Sequence, residues 1–320
     1  MSNQILEQIA DQLRQSGEYR IIHKYQQPKE YNTADPTDKK LIGVFLDIES
    51  TGLFYATDKI IELGMVKFEY TEDGRIFNLL EEFSGYQDPK IPIPEHITKL
   101  TGITDDMVKD SVIEHSKVAE YLQDVDIIIA HNAQFDRAFF ETTFPDIPPK
   151  AWACSMHDIK WNHEDISSFK LEYIAYRYNF FYEGHRAIID CLAGIHVLAQ
   201  KLLSSKQLVL KHLLDNALQL EFKLWAKDAP YDCKDLLKAR GYRWGTHSIH
   251  NFKAWYIEAP ESSIEEEVRY LRSDIYQRAI NIPIEVLDAY SKYSINNQTS
   301  ENHIKYQDKI SWAKNLCQLQ

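Results

Sequence analysis

Between residues 41 and 83 three β-forming apolar runs follow one another: Leu41–Ile48, Ile60–Tyr70 and Arg75–Phe83. The last two are joined through Asp73-Gly74, a strong hairpin signal, so this region predicts one strand followed by an antiparallel pair. From about Glu95 to Leu122 the apolar spacing turns helical, and then Ile127–Ala130 is apolar without alternation. A run that lacks a polar face suits a central parallel strand covered on both sides. Gln134–Thr142 reads as a helix stopped by Phe144–Pro149, Ala151–Ser155 as a short strand, and Lys170–Tyr178 and Arg186–Leu203 as helices. An antiparallel trio feeding alternating helices and parallel strands predicts an α/β fold with a mixed sheet flanked by helices.

The 320 residues suggest more than one domain. Residues 1–40 predict an amphipathic helix over 3–15, with Ile5, Leu6, Ile9 and Leu13 on one face, and then a polar linker over Gln26–Lys40. Residues 41–204 form the α/β domain. Residues 205–292 predict a second, small α+β domain, with helices over Gln207–Leu218, Cys233–Ala239 and Ser262–Gln277 and strands over Leu220–Ala226, Lys253–Glu258 and Ile280–Val286. Residues 293–320 are a polar tail with a short helix expected near its end.

Composition narrows the class of function. Apolar residues make up 44% and charged residues 26%, ordinary for a globular protein. No apolar run reaches the ~18 residues of a membrane helix, and the first residues lack the basic start of a secretory signal. Cys154, Cys191, Cys233 and Cys317 are far apart, the pattern of reduced thiols in a cytoplasmic protein. The net charge is −12, and residues 205–320, with 16 basic and 15 acidic side chains, contribute none of the excess. A chain this acidic attracts polyanions only through metals, local basic patches or a partner.

Chemistry-bearing residues gather at three places. At the end of the first strand, Asp47 and Glu49 are two apart and share a face. Adjacent carboxylates repel unless a cation neutralises them, so the pair suits a hard divalent ion, although a solvated strand end would look the same. Asp136 follows the apolar strand and falls in the first turn of the next helix, where an acid also caps; His131 and Asn132 are equally suited to simple loop hydrogen bonds. His185 precedes a helix that carries Asp190, an arrangement that a helix-capping histidine and a solvated acid would share. Histidine titrates near neutrality and can accept a proton from water.

Taken in order on this strand–helix alternation, Asp47, Glu49, Asp136, His185 and Asp190 resemble the DEDDh (DnaQ-like) 3′–5′ exonucleases, which include the epsilon proofreading subunit of bacterial DNA polymerase III. Ile60-Ile-Glu-Leu-Gly64 and Ile97–Thr104 agree with that family, and Ser50 departs from its usual Thr while keeping the hydroxyl. The resemblance covers roughly residues 41–203. It implies a ribonuclease H-like five-stranded sheet and hydrolysis of phosphodiesters of DNA, or RNA, to nucleoside 5′-monophosphates; the alternative is a catalytically weak nuclease-fold protein that binds nucleic acid or serves as a replication scaffold. It also implies two Mg²⁺ or Mn²⁺ ions, held by Asp47, Glu49, Asp136 and Asp190, with His185 as general base. Thr51, Gly52, Leu53, Asn132 and Phe135 are the implied substrate contacts, although Phe135 is equally suited to core packing. The implied partners are nucleic acid 3′ ends, with a polymerase or other replication protein as a candidate for the C-terminal domain. In that domain Trp225, Trp244 and Trp255 lie among Lys234, Lys238, Arg240, Arg243 and Lys253. The mixture suits stacked bases and phosphates, or a small aromatic core with ordinary surface cations.

Overall fold

The structure is a computed structural model that describes residues 3–246 and 252–295. In chain order its elements are α1 (Asn3–Ser16), β1 (His23–Lys24), β2 (Leu41–Ser50), β3 (Ile60–Tyr70), β4 (Ile76–Tyr86), α2 (Glu95–Thr101), α3 (Asp105–Val108) and α4 (His115–Tyr121). Then come β5 (Ile127–Ala130), α5 (Ala133–Thr143), β6 (Ala151–Cys154), α6 (Leu171–Arg177), β7 (Phe180–Phe181), α7 (Ala187–Leu198) and α8 (Val209–Ala217). The last set is β8 (Glu221–Ala226), α9 (Lys234–Ala239), β9 (Arg243–Thr246), β10 (Lys253–Pro260), α10 (Ile264–Tyr270) and β11 (Ile284–Leu287). Contacts divide the chain into a first unit, residues 1–147 and 153–214, and a second, residues 148–152 and 215–320.

The first unit is built on a five-stranded mixed sheet in the order β4-β3-β2-β5-β6. β2 and β3 are antiparallel from Leu41↔Tyr70 to Ser50↔Ile60, and β2 and β5 are parallel. β3 is buried along nearly its whole length, as its Val, Ile, Phe and Met content predicts. The β3–β4 turn closes with the Thr71 N–H donating to Arg75 O at 3.0 Å, and Gly74 supplies the left-handed residue at φ +85°. The helical stretch expected over 95–122 is three short helices, α2 to α4, because Gly102, at φ +74°, and the segment after Val108 interrupt it.

The polar stretch expected as a linker lies against this unit. Tyr31 N–H donates to Phe77 O at 2.9 Å, and Asn32 Nδ2 donates to Ile76 O at 2.7 Å. Just before it, β1 pairs in parallel with β7, a two-residue ladder too short to leave a sequence pattern. In α1, Ile5, Leu6 and Ile9 are exposed, so the expected apolar face is not covered by the described residues.

The second unit holds a four-stranded antiparallel sheet in the order β11-β8-β10-β9. Phe222, Leu224, Leu237, Tyr242, Ile264, Val268, Leu271 and Ile275 form its core. β9 was not expected from sequence; its residues are mostly exposed and carry no alternation. The helix expected over 262–277 is α10 followed by a π-helical turn, Leu271–Ile275. Residues 296–320, including Cys317 and the helix expected near the end of the tail, lie outside the described residues.

Candidate active site

β2 ends where the site begins. Asp47 and Glu49 lie on one face, opposite Gly64 and Glu62 of β3. Gly64 is needed there because a Cβ would stand 2.7 Å from the Ala187 carbonyl carbon, so its absence lets the first turn of α7 approach the sheet. The buried Glu62 carboxylate accepts the Ala187 N–H at 3.2 Å and the Arg186 guanidinium at 3.2 Å. Arg186 also donates to the Tyr86 hydroxyl at 2.7 Å. The start of α7 is thereby fixed over Asp47 and Glu49, and Asp190 lies in its first turn.

Ligand oxygens of Asp47, Glu49 and Asp190 all lie within 4.8 Å of one another. Asp136 arrives from another direction. β5 ends at Ala130 opposite Leu46, so the Ile48 N–H extends past that strand, and Asp136 Oδ1 accepts it at 3.2 Å. The electrostatics follow from this crowding. Burial raises the Asp47 pKa well above the carboxylate range, and Asp190, Asp136, Glu49 and Glu62 push it further. Glu49 is raised to about 8, first by burial and then by Asp190 and Glu62, with Arg186 opposing. Burial lifts Asp190 to about 6, while the Arg186 N–H, His185 and the Tyr182 hydroxyl hold it down. Burial also raises Asp136. A buried carboxylate group of this kind is stable when protonated or when a cation sits among its oxygens, and an all-oxygen donor set fits a hard divalent ion.

His185 adopts a left-handed backbone at φ +65°, and its Nε2 is 3.7 Å from Glu172 Oε1 on α6. The Tyr182 hydroxyl donates to Asp190 Oδ1 at 3.2 Å. His131 is a loop brace: its ring nitrogens meet Ser155 Oγ at 2.9 Å and the Phe169 carbonyl at 2.7 Å, and burial lowers its pKa to about 4. Asn132 caps α5 in the left-handed region, at φ +79°, with no side-chain capping bond. Phe135, half-buried, packs on Phe139 with ring centroids 4.8 Å apart.

The loop after β2 is pinned at its base. Thr51 is buried and engages Lys59 through both its N–H, at 2.9 Å, and its Oγ1, at 3.0 Å. The Asp58 carboxylate accepts the Phe54 N–H at 2.8 Å and lies where a Cβ on Gly52 would fall. The pinned loop presents Leu53 and Phe54, 76% and 73% exposed, to solvent. The sequence reading of substrate contacts passed over Phe54, and that of the acidic site passed over Glu62, Glu172, Tyr182 and Arg186. The usable signal was Glu62, a charge inside a run otherwise fit for a buried strand.

Residues 44–198 match the model of the Exonuclease family. They form an exonuclease-family domain. Among curated relatives of this chain, the PolC-type DNA polymerase III of Caldanaerobacter subterraneus subsp. tengcongensis is 28% identical over 197 residues, covering 58% of this chain and 13% of the polymerase. That of Clostridium perfringens is 33% identical over 161 residues, covering 48% of this chain and 11% of the polymerase. The chain thus spans about an eighth of the length of the curated relatives it matches. A solved structure of exonuclease X in complex with 5′ overhanging duplex DNA is similar to this chain at 24% identity with a TM-score of 0.37, covering 48% of this chain and 88% of that one. A structure of exonuclease I aligns at 14% identity with a TM-score of 0.46, covering 86% of this chain and 72% of that one.

Proposed function

We propose that the protein is a metal-dependent 3′–5′ exonuclease that hydrolyses phosphodiester bonds, of DNA in the first instance, and releases nucleoside 5′-monophosphates. The observation that carries this reading is the meeting of Asp47, Glu49 and Asp190 oxygens on one half-buried patch, inside a domain of the exonuclease family. Asp47, Glu49 and Asp190, together with Asp136, would hold two Mg²⁺ or Mn²⁺ ions, whose four charges balance four carboxylates. Bound there, such ions supply Lewis-acid polarisation of the phosphate and charge balance for the leaving oxygen.

The remaining work falls to the chain's own side chains. His185 accepts the proton of the attacking water at Nε2, and Glu172 Oε1 stands 3.7 Å from that nitrogen. Tyr182 and the Arg186 N–H hold the Asp190 carboxylate in orientation. Leu53, exposed on a pinned loop, stacks against the terminal base, with Phe54 beside it and Asn132 and Phe135 bordering the sugar-phosphate. Gly52 lets this loop close over Asp58, and Thr51 holds its base. The polymerase relatives favour DNA as substrate and a replication or repair setting, with a polymerase as partner of the second unit. The unpaired Cys154, Cys191 and Cys233 favour a reducing, cytoplasmic one.

The test is a 5′-labelled oligonucleotide incubated with Mg²⁺, with Mn²⁺ and with chelator, the products resolved by length. A ladder shortening from the 3′ end, present with metal and absent with chelator, is expected. Internal cuts, or shortening in chelator, would overturn the reading.

A further inference from the structure

The cations that the sequence singles out in the second unit are largely spoken for. Arg240 pairs with Glu266 and Glu267 at 2.9 Å, and Arg243 pairs with Glu258. Lys238 lies over the Trp255 ring at 5.7 Å and Lys234 over Tyr231 at 4.3 Å. Arg240 and Arg243 are therefore neutralised by carboxylates of their own unit, and Lys234 and Lys238 lie against its aromatic rings.

All eleven arginines fall in the described residues, and the rest of them are engaged as well. Arg14, Arg75, Arg137 and Arg186 meet carboxylates, while Arg20, Arg177 and Arg272 donate to backbone carbonyls. Two remain with no ion pair or side-chain hydrogen bond among the described residues, Arg269 and Arg278. Both line one cavity of about 570 Å³ in the second unit, together with Arg272 and Ser273. Glu265 is its one acidic lining residue.

The backbone brings these side chains together. After α10 the chain makes a π-helical turn, with the Tyr276 N–H donating to Leu271 O at 2.9 Å. Gln277 then turns left-handed, at φ +52°, and the Arg278 N–H donates back to Arg272 O at 3.1 Å. The reversal returns Arg278 beside a helix that already carries Arg269 and Arg272 on neighbouring turns. π-turns are rare and concentrate at functional sites. Planar guanidinium forks match phosphate oxygens, and three around one hollow in a chain of net charge −12 form a local site for anions.

We infer that Arg269, Arg272 and Arg278 form a phosphate-binding groove that takes the backbone of single-stranded nucleic acid. Anion chemistry follows from the arginines alone; the choice of a nucleic acid as the anion rests on the exonuclease reading of the first unit. Such a groove gives an acidic nuclease a grip on its polymer that does not depend on the metal.

The full chain and an Arg269→Gln, Arg278→Gln double variant are titrated in chelator against a fluorescent twenty-residue oligothymidylate, by anisotropy over a salt series. Binding is expected to weaken at least about tenfold in the variant at low salt. The slope of log K against log salt should fall by about 1.4, at roughly 0.7 per phosphate contact on single strands. The matching Arg→Lys double variant should keep most of the slope, and Glu265→Gln should tighten binding. Unchanged affinity and slope in the Gln variant would overturn the inference. So would equal losses in the Gln and Lys variants with lowered melting temperatures, or binding that inorganic phosphate matches without dependence on oligonucleotide length. Cleavage by the wild type is scored separately. Arginine-dependent binding without cleavage overturns the exonuclease reading alone, and cleavage with arginine-independent binding overturns the groove alone.

Discussion

Four carboxylates act on Asp47: Asp190, Asp136, Glu49 and Glu62. Asp47→Asn removes a negative charge and one of two carboxylate oxygens, so cleavage is expected to disappear and Mn²⁺ affinity, read by calorimetry, to fall with it. His185→Ala should separate the two readouts: a rate lower by about 10²–10⁴, the usual worth of a general base, with Mn²⁺ affinity kept. Glu62 has a different part. It binds no substrate in this scheme, but it satisfies the Ala187 N–H and the Arg186 guanidinium from a buried position. Glu62→Ala leaves the Ala187 N–H unpartnered and the Arg186 guanidinium with the Tyr86 hydroxyl alone; the expected cost in urea unfolding is about 1–3 kcal/mol, because Arg186 keeps access to water.

At the scale of elements, the contact between β3 and α7 sets the site. Gly64→Ala would place a methyl 2.7 Å from the Ala187 carbonyl carbon and 2.8 Å from the Ile188 nitrogen, helix backbone that no side-chain rotation can move aside. A displacement of the α7 start is expected, costing about 1–3 kcal/mol and weakening Mn²⁺ binding as Asp190 moves off Asp47; denaturant melts and calorimetry check the two effects. The same scale explains what the sequence made legible. Strands β2, β3 and β4 each run ten or eleven residues, long enough for apolar runs and the Asp73-Gly74 turn to announce them. β1 and β7 pair over two residues, and no pattern can speak from so short a ladder. Asp47 and Glu49 were legible at the end of an apolar run and Asp136 just after one, whereas His185 and Asp190 joined them only through the resemblance that their order bears to the DEDDh exonucleases. That Arg240 and Arg243 are neutralised by Glu258, Glu266 and Glu267 was hidden, because those acids come 15 to 27 positions later and meet them only through folding.

For the molecule as a whole, the acidic site makes stability depend on pH and metal in a defined direction. Asp47, Glu49 and Asp190 all have folded pKa values above their unfolded ones, with Glu49 at about 8 and Asp190 at about 6. The folded chain therefore holds more protons than the unfolded chain between pH ~4 and ~8, and stability falls as pH rises through that window. In chelator the melting temperature is expected to drop from pH 5 to pH 8.5, with Mg²⁺ or Mn²⁺ restoring more at pH 8 than at pH 5. A flat profile, or equal rescue at both values, would contradict the buried carboxylate cluster.

The pairing of β1 with β7 bears on where this protein can be cut. Trimming at residue 40, where composition changes, would strip the neighbour from Phe180 and Phe181, remove the Lys24–Glu183 bridge of 2.9 Å and free the chain three residues ahead of Gly184-His185. A fragment begun at Leu41 would thus keep every acid yet lose the brace behind its histidine, whereas one begun at Gly17 retains it.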